Sequence, residues 1–187
     1  MGGGKDWARR RAPDLGDFEE LAAAAWARLP HFLRDMCGNL VVRVEDFPTE
    51  EVLRELKLES PFDLMGLYQG VSFAKRSVID LPRGPDMVFL YRRPLLDCWA
   101  EGDETLGHLV AHVLVHEITH ILEGVDRHSG QGVMKAHWTE DDLVQMLYKP
   151  LPFDPQDVLL IRQGLANRGR PARKAPLGVI PPMALSN

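Results

Sequence analysis

This sequence has few cysteines, no long apolar run and no excess of positive charge. Its 187 residues include only two cysteines, Cys37 and Cys98, which cannot form a disulfide framework and are typical of reduced thiols in the cytoplasm. The longest purely apolar run covers residues 21–27, whereas a helix that crosses a bilayer needs about 20 apolar residues. We therefore expect a cytoplasmic protein that makes no use of a membrane.

The net charge and the composition exclude further classes of protein. A formal net charge of -5 gives no general attraction for nucleic acid, which we exclude as a partner. Basic residues near the start are not followed by the apolar segment of a secretory signal. Apolar residues make up 45% of the chain, enough for a buried core. We predict one globular domain over residues 14–167, between a flexible segment over 1–13 and a Pro-rich, basic tail over 168–187.

Hydrophobic periodicity and turn residues predict short helices and strands in the first half of the chain. Apolar residues three or four apart indicate helices, and alternating apolar residues indicate strands with one buried face. Glycine among β-forming residues indicates a turn or a close backbone approach. The predicted elements are, in order, a helix from its cap at Asp17 to Pro30, a strand over 39–47, a helix over 48–56, a turn or hairpin around Gly66 and Gly70 that leads into a strand over 72–79, and a strand over 87–93.

The second half of the chain is predicted to be helical. A longer helix should run from a cap at Asp103 to about Glu123, and its wide apolar face predicts a central position in the fold. Two shorter helices follow it, one over 139–147 that begins with a capping box of Thr139 and Asp142, and one over 154–165 with Pro155 at its first helical position.

Histidines are concentrated in this region, where six of the seven in the chain lie between residues 108 and 137. His116, Glu117 and His120 form the pattern H-E-x-x-H on the predicted long helix. Residues four apart on a helix lie one above the other, so the imidazoles of His116 and His120 can bind one cation. Glu117 points about 100° round the helix, where it can reach a water on that cation as a general base. The pattern predicts a catalytic zinc site.

Two residues after the long helix are candidates for the third zinc ligand, since a catalytic zinc takes three protein ligands and a water. Asp126 lies ten residues after His116, and His128 lies twelve after it. The position of Asp126 is the usual one in the extended form of the motif, whereas imidazole is the more frequent zinc ligand. We favour His128 and leave Asp126 as the alternative, with the residue that does not bind zinc supporting the one that does.

The residues around the motif have weaker signals. Gly132 and Met134 suggest a tight turn that presents a thioether beneath the metal, although a buried methionine is the ordinary interpretation of Met134. His108 and His112 extend the row of histidines but rotate away from the metal along the helix, so we expect them to be structural. His137 and Trp138 either line the cleft or pack under the last helices.

Several blocks of the sequence together resemble the bacterial minimal zincins, which are small metallopeptidases of one domain. The resemblance runs from about Phe18 to His120 and rests on the blocks AWARLPHFLRDMCGNLVVRVEDFP, LMGLYQG, MVFLYRRPLL and VLVHEITH. Minimal zincins have an acidic residue at the third ligand position, which would nominate Asp126. The following RHSGQGVMKAHW is similar to the third ligand and Met-turn of metzincins, which would nominate His128.

The resemblance implies an α+β fold and a peptidase activity. We expect a zincin-like single domain with a small twisted mixed sheet and a central H-E-x-x-H helix beneath the sheet's edge strand. That edge could align an extended peptide substrate, and a strand within 87–93 is the candidate for it. We expect a zinc-dependent metallopeptidase acting on a peptide or protein, with Glu117 as general base. The alternative is a non-catalytic zinc-binding or interaction domain on the same frame.

Overall fold

The computed structural model describes residues 12–70, 86–101, 105–125 and 127–167. Several sequence predictions fall wholly or almost wholly outside these residues: the flexible segment over 1–13, the strand over 72–79, the cap at Asp103, the candidate ligand Asp126 and the tail over 168–187. The domain boundaries at 14 and 167 stay predictions. Within the described residues, no helix is long and apolar enough to cross a membrane.

Seven helices and three strands make up the described part of the chain. The helices are α1 (Leu15–Arg28), α2 (His31–Met36), α3 (Glu50–Leu56), α4 (Arg92–Glu101), α5 (Leu106–Glu123), α6 (Glu140–Tyr148) and α7 (Pro155–Asn167), and the strands are β1 (Val41–Glu45), β2 (Gly66–Gln69) and β3 (Met87–Tyr91). A single turn of 3-10 helix, Pro61–Asp63, precedes β2.

The three strands form one small mixed sheet in the order β1-β3-β2. β1 pairs in parallel with β3, and β2 pairs with β3 in the antiparallel direction. Helices pack against this sheet around one main core, which confirms the predicted α+β single domain. The prediction that an edge strand lies within 87–93 was wrong, because β3 has a hydrogen-bonded neighbour on each side.

Helix α5 lies at the centre of the molecule, with 14 of its 18 residues buried. It packs against α1, α4, α6, α7 and the strands β2 and β3. The predicted cap at Asp103 was wrong: the helix begins at Leu106, and the Thr105 hydroxyl accepts a hydrogen bond from the His108 N–H. Gly124 ends the helix with a φ of 68°, a left-handed conformation that glycine adopts at low cost.

The helix ends show which local predictions held. The capping box of α6 and the start of α7 at Pro155 are confirmed. Asp17 is not the cap of α1, because the helix begins earlier and Asp14 occupies that position. Each carboxylate accepts a hydrogen bond from the backbone N–H of the other residue, and Asp17 accepts from the Asp14 N–H at 2.8 Å. Aspartate is a favoured residue at a helix N-cap, so the sequence alone does not decide between Asp14 and Asp17.

Two glycines set how closely other elements approach α5. Gly66 was predicted in a turn, but it opens β2, and a Cβ there would lie 2.6 Å from Cγ1 of Val113 and 3.0 Å from Oε1 of Glu117. A Cβ at Gly164 in α7 would lie 1.8 Å from the Leu122 carbonyl oxygen. The backbone of β2 therefore lies directly against side chains of α5, and the backbone of α7 lies directly against the backbone of α5.

Candidate metal centre

His116 and His120 point to the same place from consecutive turns of α5. Their Nε2 atoms are 3.1 Å apart, and both residues are 0% exposed. The alignment follows from the four-residue spacing, which the sequence analysis used to predict a shared cation. The rings meet edge to face, with an interplanar angle of 75°, so both Nε2 lone pairs face one small volume.

His128 completes this cluster from the segment that follows α5. Its Nε2 lies 3.2 Å from Nε2 of His116, and the three ligand atoms all lie within 4.8 Å of one another. Because Asp126 lies outside the described residues, the geometry supports His128 without testing the alternative. Among the described residues, these three histidines are the group that could hold a metal ion.

All three imidazoles are neutral near neutral pH, as metal ligands must be. Burial lowers the pKa of His116 to about 3 and that of His128 to about 4. Burial also lowers the pKa of His120 well below its usual value, and the neighbouring His116 and His128 lower it further. The Nδ1–H of His116 donates to the Val133 carbonyl at 2.8 Å, which leaves its Nε2 with a free lone pair.

Two of the separations between these nitrogens are close to those around a zinc ion. Tetrahedral zinc with Zn–N bonds of about 2.0–2.1 Å requires its nitrogen ligands to lie about 3.3 Å apart. The two Nε2 separations from His116 are 3.1 and 3.2 Å. Many catalytic zinc sites have three protein ligands, such as three neutral histidine nitrogens, and keep the fourth coordination position for water.

Glu117 is placed beside the cluster without being part of it. It is 2% exposed, and its Oε2 accepts a hydrogen bond of 2.8 Å from the Tyr68 N–H of β2. Burial raises the pKa of Glu117 to about 8, and the hydrogen bond from Tyr68 opposes this rise. Glu117 is therefore a buried carboxyl group directly after His116 in sequence, and its hydrogen bond goes to β2 rather than to the histidines.

A comparison with known families agrees with this geometry. The sequence model of the zincin-like metallopeptidase family matches residues 37–131, half of the chain. The chain belongs to this family. The matched range runs from the end of α2 through β1, the other strands and α5, and it includes all three histidines of the cluster. No curated protein matches the chain significantly.

The turn after the three histidines supports the cluster in this member of the zincin-like family. Gly132 has a φ of 75°, and a Cβ there would lie 2.1 Å from the Pro152 carbonyl oxygen. That carbonyl accepts from the Val133 N–H at 2.9 Å, so the Val133 carbonyl is held where it receives the His116 Nδ1–H. Gly132 indicated the turn in the sequence, whereas no residue type indicates a backbone acceptor such as the Val133 carbonyl. Met134 is fully buried, and its placement beneath the metal stays a prediction.

The other histidines of the zincin-like chain have structural roles or lie at the surface. The prediction for His112 is confirmed, because its Nε2 accepts from the Leu151 N–H at 3.1 Å and its Nδ1–H donates to the His108 carbonyl at 2.7 Å. Trp138 is buried, with its ring centroid 6.2 Å from that of His116. Trp138 therefore packs against a histidine of the cluster, whereas His137 is exposed.

A buried charged network next to the histidine cluster was not predicted from the sequence. Arg127 lies 2.8 Å from Oδ1 of Asp157 and 3.8 Å from Oε2 of Glu123. Both oxygens of Glu123 are buried without a hydrogen-bond partner. Glu123 and Arg127 are four residues apart, a spacing that could have indicated an ion pair. Asp157 is 30 residues from Arg127, and no sequence pattern joins them.

The Glu123→Gln variant of the metal-free protein is expected to gain stability relative to the wild type as the pH rises. Burial, with the charge of Asp157 adding to it, raises the pKa of Glu123 from 4.5 to about 8. The unfolded chain therefore ionises first, and the wild type loses stability between these two values. At pH 8 and above we expect the variant to exceed the wild type by on the order of 1–3 kcal/mol. Urea unfolding from pH 5 to 9 measures this, and a difference that is independent of pH would contradict it.

Proposed function

We propose that this chain is a zinc-dependent peptidase in which His116, His120 and His128 hold the metal and Glu117 is the general base. The observation that carries the proposal is the convergence of three neutral imidazole nitrogens next to a buried carboxyl group. Membership of the zincin-like metallopeptidase family supports zinc peptidase activity in general. The proposed substrate is a peptide or protein.

The histidines and Glu117 would have different roles in catalysis. Zinc held by the three histidines would lower the pKa of a water ligand toward about 7 and polarise the carbonyl of the scissile bond. Glu117 would accept a proton from the attacking water and return it to the leaving amine. The Tyr68 N–H occupies Oε2 of Glu117, so Oε1 is the oxygen proposed to carry the proton.

Metal content and chelator-sensitive cleavage test this function. The purified protein is expected to contain one zinc ion per chain by mass spectrometry and to cleave members of a broad peptide library. A chelator should abolish cleavage, and added zinc should restore it. Stoichiometric zinc without chelator-sensitive cleavage would contradict the peptidase and favour a non-catalytic zinc-binding domain. Absence of zinc from the folded protein, even after zinc is added, would contradict the site itself.

A matched pair of alanine variants on α5 links these results to the cluster. His120→Ala removes a proposed ligand and should lose both zinc and cleavage. His108→Ala removes a histidine from the same helix, three turns before His120 and outside the cluster, and should retain both. Equal zinc content in the two variants would contradict the ligand assignment.

A further inference from the structure

His128 lies in a segment without helix or strand, yet both of its neighbours in sequence are tied to one side chain. Arg127 donates through Nη1 to Oδ1 of Asp157 at 2.8 Å. The Ser129 hydroxyl donates to the same oxygen. Arg127 also donates through Nη2 to the Ser129 hydroxyl at 2.9 Å. Arg127, Ser129 and Asp157 therefore form a closed triangle of hydrogen bonds.

Asp157 is itself firmly placed. It is 0% exposed, and its second oxygen, Oδ2, accepts from the Asp154 N–H at 2.9 Å in the first turn of α7. Helix α7 is fixed in turn against α5, since at Gly164 there is no room for a Cβ beside the Leu122 carbonyl. Asp157 thus connects the segment of His128 to the helix that carries His116 and His120.

The position of Asp157 has a direct consequence for His128. A segment without regular structure is free to move unless its backbone is held, and fixing it after the metal arrives costs conformational entropy. Arg127 and Ser129 are held at one oxygen, so the backbone of His128 between them has little freedom. Removal of that oxygen would also leave the guanidinium of Arg127, three-quarters buried, without its closest anion.

We propose that Asp157 is the positioning residue of the third zinc ligand. By holding Arg127 and Ser129 together, it presents His128 to the other two histidines before the metal binds. The proposal rests on the proposed zinc site, but it does not depend on whether the site hydrolyses peptides. Asp157 acts through its neighbours and is not itself among the ligands.

The Asp157→Asn variant tests this role by zinc affinity. An amide has one acceptor oxygen, so it cannot accept from the Asp154 N–H and also from Arg127 and Ser129 through separate oxygens. We expect zinc affinity to fall about 10–100-fold, the usual cost of losing a group that orients a metal ligand. Competition with a chromophoric chelator measures the affinity, and thermal unfolding of the metal-free variant shows whether it folds.

Asp17→Asn is the matched control for the effect on the helix end. Asp17 accepts from the Asp14 N–H in the first turn of α1, as Asp157 accepts from the Asp154 N–H in α7. The control makes the same carboxylate-to-amide change at a residue that accepts this bond in the first turn of a helix, and it should keep the zinc affinity of the wild type. Equal losses of affinity in the two variants would show a general effect of helix capping and would overturn the proposal.

A double-mutant cycle with His128→Ala separates positioning from general destabilisation. If Asp157 acts through His128, Asp157→Asn should cause no further loss of zinc affinity once His128 is absent. An undiminished further loss of zinc affinity in the double variant would overturn the role.

Ser129→Ala provides the same test if Asp157→Asn does not fold. It removes one arm of the triangle and leaves Asp157 in place, so zinc affinity should fall several-fold while the metal-free protein unfolds at nearly the wild-type temperature. Unchanged affinity in Ser129→Ala would then overturn the proposal. Failure of the zinc site itself is distinct, because His128→Ala would then bind zinc as tightly as the wild type.

Discussion

Replacement of Glu117 by Gln is expected to lower kcat for peptide cleavage about 10²–10⁴-fold, the usual contribution of a general base. The amide keeps the shape of the side chain and one oxygen for the Tyr68 N–H, but it cannot accept the proton of the attacking water. Zinc should remain bound at one ion per chain, because Glu117 is not among the ligands. Initial rates with a peptide substrate and metal analysis of the same sample measure the two effects.

Glu123→Gln is the control for this result. It makes the same change at another buried glutamate of α5, and we expect it to retain cleavage. Loss of zinc from Glu117→Gln would show that the carboxylate supports the ligands, and unchanged kcat would show that it is not the base. Either result would contradict the role given to Glu117.

The Gly132→Ala variant is expected to lower the free energy of unfolding by about 2–4 kcal/mol. The left-handed backbone of Gly132 strains any L-residue, and the new Cβ would meet the Pro152 carbonyl. Relief of this contact must break the hydrogen bond from the Val133 N–H to Pro152. The Val133 carbonyl would then move away from His116, so zinc affinity should also fall. Denaturant unfolding of the metal-free protein and chelator competition measure the two losses.

Gly130→Ala controls for substitution of a glycine in the same segment. A Cβ at Gly130 would have no heavy atom within 4 Å, and the φ of this residue is not positive. We expect its stability to lie within about 0.5 kcal/mol of the wild type, as for most surface substitutions. Similar losses in the two variants would contradict a specific role for Gly132.

The features that sequence predicted well depend on short stretches of chain. His116 and His120 share a helix, so their spacing alone determines that they face one point. The end of α5 at Gly124 and the capping box of α6 are equally local. His128 was a choice between two nearby residues, and its place in the cluster depends on the path of the segment after α5.

Other features escaped prediction because they depend on distant parts of the chain. The central position of β3 depends on which strands pair, which its own residues do not encode. Helix α4 was missed because it begins at Arg92, directly after β3, with no turn residue between the two elements. Pro94 is tolerated there because it lies in the first turn of the helix. The Val133 carbonyl is a backbone group, so no residue type signals it. Asp157 acts on residues about 30 positions earlier.

Because α5 is almost completely buried, few substitutions in this helix are tolerated as relatives of this protein diverge in sequence. His116, Glu117 and His120 lie on the same 18 residues that pack against most of the other elements. A change of side-chain volume in α5 therefore disturbs the interior on several sides. New substrate preferences would therefore arise more readily in exposed segments around the rim than on this helix. We expect relatives with different preferences to keep a nearly constant α5 and to vary mainly in their connecting segments.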